Sequence, residues 1–263
     1  FDLAWFNYII INFVFPGKII YWGHRYSKNL IANSLRNYIT RSCKAIILYS
    51  KCDVERMLKS GIEKEKIFIA NNTLDISNHE NCSNYKKDKI IFTGRAQKRK
   101  KVDMLIFAFN NVLNHISKRI KLYIVGEGKE NNRLQSIVKN LGINERVVFT
   151  GSIHDHNKLK ELFKDSYVYV SPGPVGLGVL HSFAYGVPVA TLNDGKHGPE
   201  FSNIICQENG VLFKNLSELE KLIKKFVNDK FFASTLGSNA YKLYYNKRNI
   251  NVMIRGLVEA IEY

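Results

Sequence analysis

Arg95 and the basic run Lys98, Arg99, Lys100 and Lys101, in Thr93-Gly94-Arg95-Ala96-Gln97-Lys98-Arg99-Lys100-Lys101, are side chains whose types could grip a diphosphate. They follow the short apolar run Ile90-Ile91-Phe92 and precede a segment of helical period, so they fall where a strand ends and a helix begins. An Arg fork and a Lys point charge at such a junction can hold two phosphates, and the start of a helix adds favourable dipole potential. The same basic run also reads as a solvated face or a nucleic-acid patch, and from this segment alone the two stay open.

Two further turns follow strands. Val125-Gly126-Glu127-Gly128 lets the backbone bend tightly and come close to a ligand, although G-x-G alone serves many turns for geometry only. Ser171-Pro172-Gly173-Pro174-Val175-Gly176-Leu177-Gly178 runs from a strand into a helix that stops at Gly186. Three glycines and two prolines in one short turn point to a shaped ligand loop whose backbone N–H groups suit phosphate. His181, on the first helix after that loop, can hydrogen-bond a ligand hydroxyl through a ring nitrogen or be satisfied by a neighbouring carbonyl. His24 ends an apolar strand beside Gly23 and is either a cleft residue or an ordinary surface histidine. The remaining histidines, His115, His154, His156 and His197 among them, show no metal-ligand spacing on a shared face. His197, next to Gly198-Pro199-Glu200, is placed to border the ligand pocket.

Such turns need a frame. From Lys89 onward, short runs rich in β-branched residues alternate with longer amphipathic segments, the pattern of a parallel α/β sheet. Strands are expected at 90–92, 122–125, 146–149, 167–170, 187–191 and 211–213. Apolar spacing from Val102 to Ile116 gives one helix. Another carries Leu134, Ile137, Val138 and Leu141 and ends before Gly142, and Ser217 with Glu220 signals a capping box before a third. Residues 1–75 carry a weaker version, with strands at 45–48 and 67–70 and a helix around 54–58. This divides the chain into a first domain at 1–76, a polar linker at 77–88, a complete Rossmann-like domain at 89–238, and a C-terminal helix at 239–263 that crosses back to the first domain.

The formal net charge of +16 calls for an anionic partner, and nucleic acid, lipid headgroups and phosphorylated small molecules all qualify. Four cysteines without a C-x-x-C pair or short ligand spacing argue against a zinc or disulfide framework and favour a reducing cytosol. The apolar stretch at 6–15 is about half the length a membrane-spanning helix needs and meets Pro16, Gly17 and Lys18, so no span is expected. The start at Phe1 rather than Met carries the expectation of a missing N-terminal region.

The order of motifs resembles glycosyltransferase family 4, in the two-domain GT-B class. The matching pieces are T-G-R with a Lys five residues after the Arg, V-G-E-G, V-V-F-T-G, Y-V-Y-V-S-P, A-Y-G-V-P-V, and G-P-E-F followed by E-N-G-V-L-F. Tyr21-Trp22-Gly23-His24, Ile47-Leu48-Tyr49-Ser50 and Ile69-Ala70-Asn71-Asn72 extend the likeness into the late part of the acceptor-side domain. The resemblance implies an α/β fold of GT-B type and retaining, metal-independent sugar transfer from a nucleoside-diphosphate sugar, with no further cofactor. The acceptor would be a saccharide or lipid-linked, in surface polysaccharide synthesis. Arg95 and Lys100 match the basic pair that neutralises the leaving diphosphate, and His24 matches the acceptor-side turn. Gly94, Glu127, Phe149, Gly151, Gly173, Val175, Gly176, Leu177, His181 and Glu200 are the implied donor-binding residues. The family's Glu, seven residues, Glu pattern falls here on Gly173 and His181. A variant type with P-G-x-V-G-L followed by H-S matches this chain, so altered donor recognition is expected and His181 is assigned to the ribose. A cytoplasmic enzyme at the inner membrane face, without nucleic acid as partner, completes the expectation. The competing readings are a GT-B-fold nucleotide-sugar epimerase or hydrolase, and a non-catalytic nucleotide- or polyanion-binding module.

Overall fold

The structure, a computed structural model, describes residues 4–23, 30–194 and 197–263. The chain forms two compact units, 1–73 with 248–263 and 74–247.

In the first unit, α1 (Ala4–Val14), β1 (Ile20–Trp22), α2 (Leu30–Arg41), β2 (Ala45–Leu48), α3 (Val54–Lys59) and β3 (Ile67–Ile69) follow in order. The apolar stretch near the start is thus a helix of 11 residues. The three strands pair in parallel in the order β1-β2-β3. Strand β2 is buried on both faces because its side chains alternate: Ile46 and Leu48 join Ile39 of α2 and Met57 of α3, while Ala45 and Ile47 face the opposite layer.

The second unit continues with β4 (Lys89–Thr93), α4 (Val102–Val112), β5 (Lys121–Val125), α5 (Asn131–Asn140), β6 (Val147–Gly151), α6 (His156–Lys164), β7 (Ser166–Ser171), α7 (Gly178–Ala184), β8 (Val189–Leu192), β9 (Gly210–Phe213), α8 (Leu216–Asn228) and α9 (Lys230–Lys247). Its six strands are parallel in the order β6-β5-β4-β7-β8-β9. Ile90 and Phe92 of β4 point into a core with α4, α5 and α8; Ile91 points into the opposite core with α6, α7 and α9. The sheet is therefore doubly wound, with helices covering both faces. The chain then returns to the first unit, where α10 (Ile250–Glu262) packs on β2 and β3 through Ala260, Met253 and Leu257. A Cβ on Gly256 would lie 2.2 Å from the carbonyl oxygen of Ile69, so only glycine permits that approach.

Two local expectations are corrected. Residues 77–88, read as a linker, lie inside the second unit: Ile76 and Cys82 are buried, Glu80 N–H donates to the Ala184 carbonyl, and Lys87 Nζ donates to the Cys82 and Lys164 carbonyls. Few apolar residues suffice there because backbone and ammonium bonds tie the segment down, and the chain changes unit at residues 73–74 and 247–248. The capping residues of α8 are Asn215 and Glu218, not Ser217 and Glu220. The Asn215 side chain accepts from Glu218 N–H at 3.0 Å, and the Glu218 carboxylate accepts from Lys214 N–H at 2.8 Å. Glu220 instead accepts from Asn111.

Candidate functional site

Strand order reverses between β4 and β7: β5 and β6 lie on one side of β4, and β7, β8 and β9 on the other. The loops leaving the two strands diverge and leave a crevice at their carboxyl ends, the place where ligands bind in such sheets. Here the crevice is a cleft of about 450 Å³. It is lined by Thr93, Gly94, Arg95, Arg99 and Lys100 after β4, by Val125, Gly126 and Glu127 after β5, and by Ser152, Ile153 and His154 after β6. Tyr169, Gly176, Leu177, Gly178 and His181 close it from β7 and α7.

Backbone hydrogen bonds fix the walls. Gly94 N–H donates to Val125 O at 2.9 Å, Ala96 N–H to Glu127 O at 3.1 Å, and Gly126 N–H to Gly151 O at 2.8 Å. A Cβ on Gly126 would lie 2.2 Å from Gly94 O, one on Gly128 would lie 2.3 Å from Ala96 O, and one on Gly173 would lie 2.2 Å from Arg99 O. These three glycines, expected to bring backbone close to a ligand, bring the three loops against one another. Gly176 differs, because the space where its Cβ would be is open.

The cations divide by what they hold. Lys101 pairs with Asp194 at 2.9 Å, Arg99 Nε donates to Gln97, and Lys100 Nζ donates to the Pro174 carbonyl, bracing the Gly-rich loop. Burial, with neighbouring Arg99, pushes the Lys100 ammonium below its ordinary value, and Glu200 opposes the shift. Arg95 is exposed on the cleft and makes no hydrogen bond or ion pair among the described residues.

His181 lines the cleft with its ring against His156 and Phe163, at centroid distances of 5.6 and 6.3 Å. Its Nε2 is buried without a hydrogen-bond partner. Burial, and secondarily His156, pushes its pKa down to about 4, so the ring is neutral near pH 7. The carbonyl-satisfied alternative therefore does not describe Nε2.

Of the residues singled out in the sequence, the cleft brings together Gly94, Arg95, Lys100, Glu127, Gly176, Leu177 and His181. Gly151 sits beside Glu127, whose Oε1 lies 3.0 Å from where its Cβ would be. Glu200 is buried close to Lys100. Phe149 is not in the cleft: it packs on the core shared by α4, α5 and α8 and lines a separate cavity with Asn132, Gln135 and Ser136, because β6 turns that side chain toward α5. Gly173 is buried beneath the loop. Val175 does not offer its N–H to a ligand, since that group donates to His197 Nδ1 at 3.3 Å. His197 in turn holds the Leu192 carbonyl through Nε2 at 2.6 Å and stacks on Phe201 at 4.3 Å. The two contacts require the Nε2–H tautomer. His24 lies outside the described residues. Arg99, Ser152 and His154 line the cleft without having been singled out as donor-binding residues; the signal that could have found them is their position just after the ends of β4 and β6.

A cation-lined cleft at the switch point of a doubly wound parallel sheet is an arrangement suited to a phosphate-bearing ligand. Residues 76–243, more than half of the sequence, match the family described as Glycosyl transferases group 1, and the chain belongs to that family. An uncharacterized glycosyltransferase of Methanocaldococcus jannaschii is 30% identical over 164 residues, 60% of this chain and 40% of that protein. Protein CapJ of Staphylococcus aureus is 23% identical over 257 residues, 95% of this chain and 59% of its own length. The chain thus spans about half the length of the curated relatives it matches. Among solved structures, HepE of Anabaena, crystallised with UDP, superposes with a TM-score of 0.73 at 18% identity, over 96% of this chain and 74% of that one. The fold is of the α/β GT-B type.

Proposed function

We propose that the protein transfers a sugar from a nucleoside-diphosphate donor to a saccharide or lipid-linked acceptor, with retention of configuration, in polysaccharide synthesis. The observation that supports this reading most directly is Arg95: an exposed guanidinium without a partner among the described residues, in a cleft where Lys100 is the neighbouring half-buried cation. In the proposed reaction the bond between the anomeric carbon and the diphosphate oxygen breaks as Arg95 and Lys100 stabilise the charge growing on the diphosphate. The acceptor hydroxyl bonds to that carbon from the same face and gives its proton to the departing phosphate. Positive charge from the two side chains does the work a metal would do, so the reaction is proposed to run without one. Glu127, Gly176, Leu177 and His181 are assigned to the nucleoside and sugar, His181 through its unpartnered Nε2 to a ribose hydroxyl.

UDP is the nucleotide to test first, because HepE has been crystallised with it. Melting of the protein is measured with UDP, GDP, ADP and CMP. A diphosphate that binds the native state alone raises the melting temperature by mass action, by about 2.7 kcal/mol of stability at a hundredfold excess over Kd. No response to any of the four would count against the reading.

A further inference from the structure

A second cavity, of about 350 Å³, lies at the other end of the same sheet. Lys87 and Arg119 line it just before β4 and β5, Ser83 and Lys86 from the preceding segment, and Lys230 with Phe231 at the start of α9. The cleft opens at the carboxyl ends of these strands and this cavity at their amino ends, about 17 Å apart for a five-residue strand. Four cations share the wall and no carboxylate does. Lys86, Arg119 and Lys230 are exposed, and their side chains make no hydrogen bond or ion pair among the described residues. Lys87 is buried and gives hydrogen bonds to two backbone carbonyls, at 2.7 Å to Cys82 and 2.6 Å to Lys164. Like charges gathered on one wall repel one another, and a buried ammonium hydrogen-bonded only to neutral acceptors is costly, with Asp165 offsetting part of that cost at Lys87. Ser83 supplies an independent sign: the residue is 5% exposed, and its Oγ is buried with no hydrogen-bond partner. A buried orphan hydroxyl on a cavity wall calls for a partner that the protein does not provide.

We propose that this cavity is a binding site for a small phosphate-bearing ligand, separate from the donor cleft, with Arg119, Lys230 and Lys87 facing the phosphate charge and Ser83 hydrogen-bonding to it. The volume falls in the lower part of the range for small-molecule pockets and leaves room for a ring beside the phosphate. Phe231, 81% exposed at the rim, offers an apolar face to such a ring. Burial, with Lys89 nearby, pushes the Lys87 ammonium down to about 8 against the opposing pull of Cys82 and Asp165; an anion bound beside it favours the charged form, so binding takes up a proton near that pH.

Calorimetry with inorganic phosphate and with glucose 6-phosphate, at physiological salt, tests the site on the whole chain. Arg119→Ala and Lys230→Ala are each expected to weaken phosphate binding roughly tenfold or more while UDP affinity stays unchanged. Neither side chain holds the fold, so both variants should melt as wild type does. Ser83→Ala separates ligand from packing: it leaves the ligand-free melting temperature unchanged or higher, and still lowers phosphate affinity. Tighter binding of glucose 6-phosphate than of phosphate would assign the site to phosphosugars, and equal binding to the free anion. Absence of phosphate binding, phosphate binding that both substitutions leave intact, or RNA binding in its place that both abolish would each overturn the proposal.

Discussion

Arg95 differs from Arg99 and Lys100, the other cations of the cleft, in holding no partner among the described residues. Because its guanidinium makes no contact that supports the fold, Arg95→Ala should leave the melting temperature at the wild-type value while cutting donor affinity and turnover at least tenfold. Lys100→Ala should lower both, since its ammonium also braces the Pro174 carbonyl. Equal donor affinity in Arg95→Ala and wild type, by calorimetry, would remove Arg95 from the diphosphate site. His181 gives a prediction of a different kind. Its pKa falls from 6.5 to about 4 on folding, so as pH drops the unfolded chain takes the proton first. The stability tied to the neutral ring is whole above about pH 6.5, is lost progressively down to about pH 4, and amounts to on the order of 3 kcal/mol. Melting curves from pH 7 down to pH 4 should therefore show wild type losing stability relative to His181→Phe. A constant difference across that range would contradict the buried neutral ring. At this scale the sequence was readable where a cation follows directly on a strand end, as with Arg95 and Lys100, which both line the cleft. It was not readable for Val175, whose N–H is taken by a histidine 22 positions away.

Among loops and strands, the glycines separate packing from ligand contact. Gly128→Ala places a methyl group 2.3 Å from the Ala96 carbonyl oxygen, two main chains that cannot both move without breaking the Ala96 to Glu127 hydrogen bond. Overpacking of this kind costs about 1–3 kcal/mol and should appear as a lower melting temperature together with weaker donor binding. Gly176→Ala meets no atom within 4 Å, and its backbone is not in the left-handed region, so stability should hold. A Cβ on the cleft wall would nonetheless crowd a donor. Loss of donor affinity at constant melting temperature is the expected result, and unchanged affinity would place the donor elsewhere. The strands and helices around these loops were legible from apolar periodicity, because buried faces repeat every two or 3.6 residues within a local window. The glycine contacts were not. Each of Gly126, Gly128 and Gly173 meets a segment more than 30 positions away, and a sequence shows a turn without showing what presses against it. The same limit applies to residues 77–88, whose polar composition imitates a linker while hydrogen bonds hold it to α6 and α7.

For the whole molecule, excess positive charge governs what the surface outside the two cavities attracts. With 39 Lys and Arg against 23 Asp and Glu, the chain should adhere to anionic lipid at low ionic strength, each basic residue near the surface adding about 1 kcal/mol. No described helix is long and apolar enough to cross a membrane. Adhesion through charge alone must vanish as salt rises, because at about 1 M the screening length shrinks to about 3 Å. Helix α1 supplies the contrasting mechanism: Ile10, Phe13, Val14 and the following Phe15 are all about half or more exposed, and apolar insertion is insensitive to salt. Flotation with vesicles of phosphatidylglycerol and phosphatidylcholine, at about 50 mM and about 1 M salt, distinguishes the two. Binding at the lower concentration and release at the higher is the expected outcome. Retention at the higher concentration that Phe13→Asp abolishes would transfer the interaction from the charge of the whole chain to one apolar helix, and no flotation at either concentration would leave the excess charge to nucleotide and phosphate ligands alone.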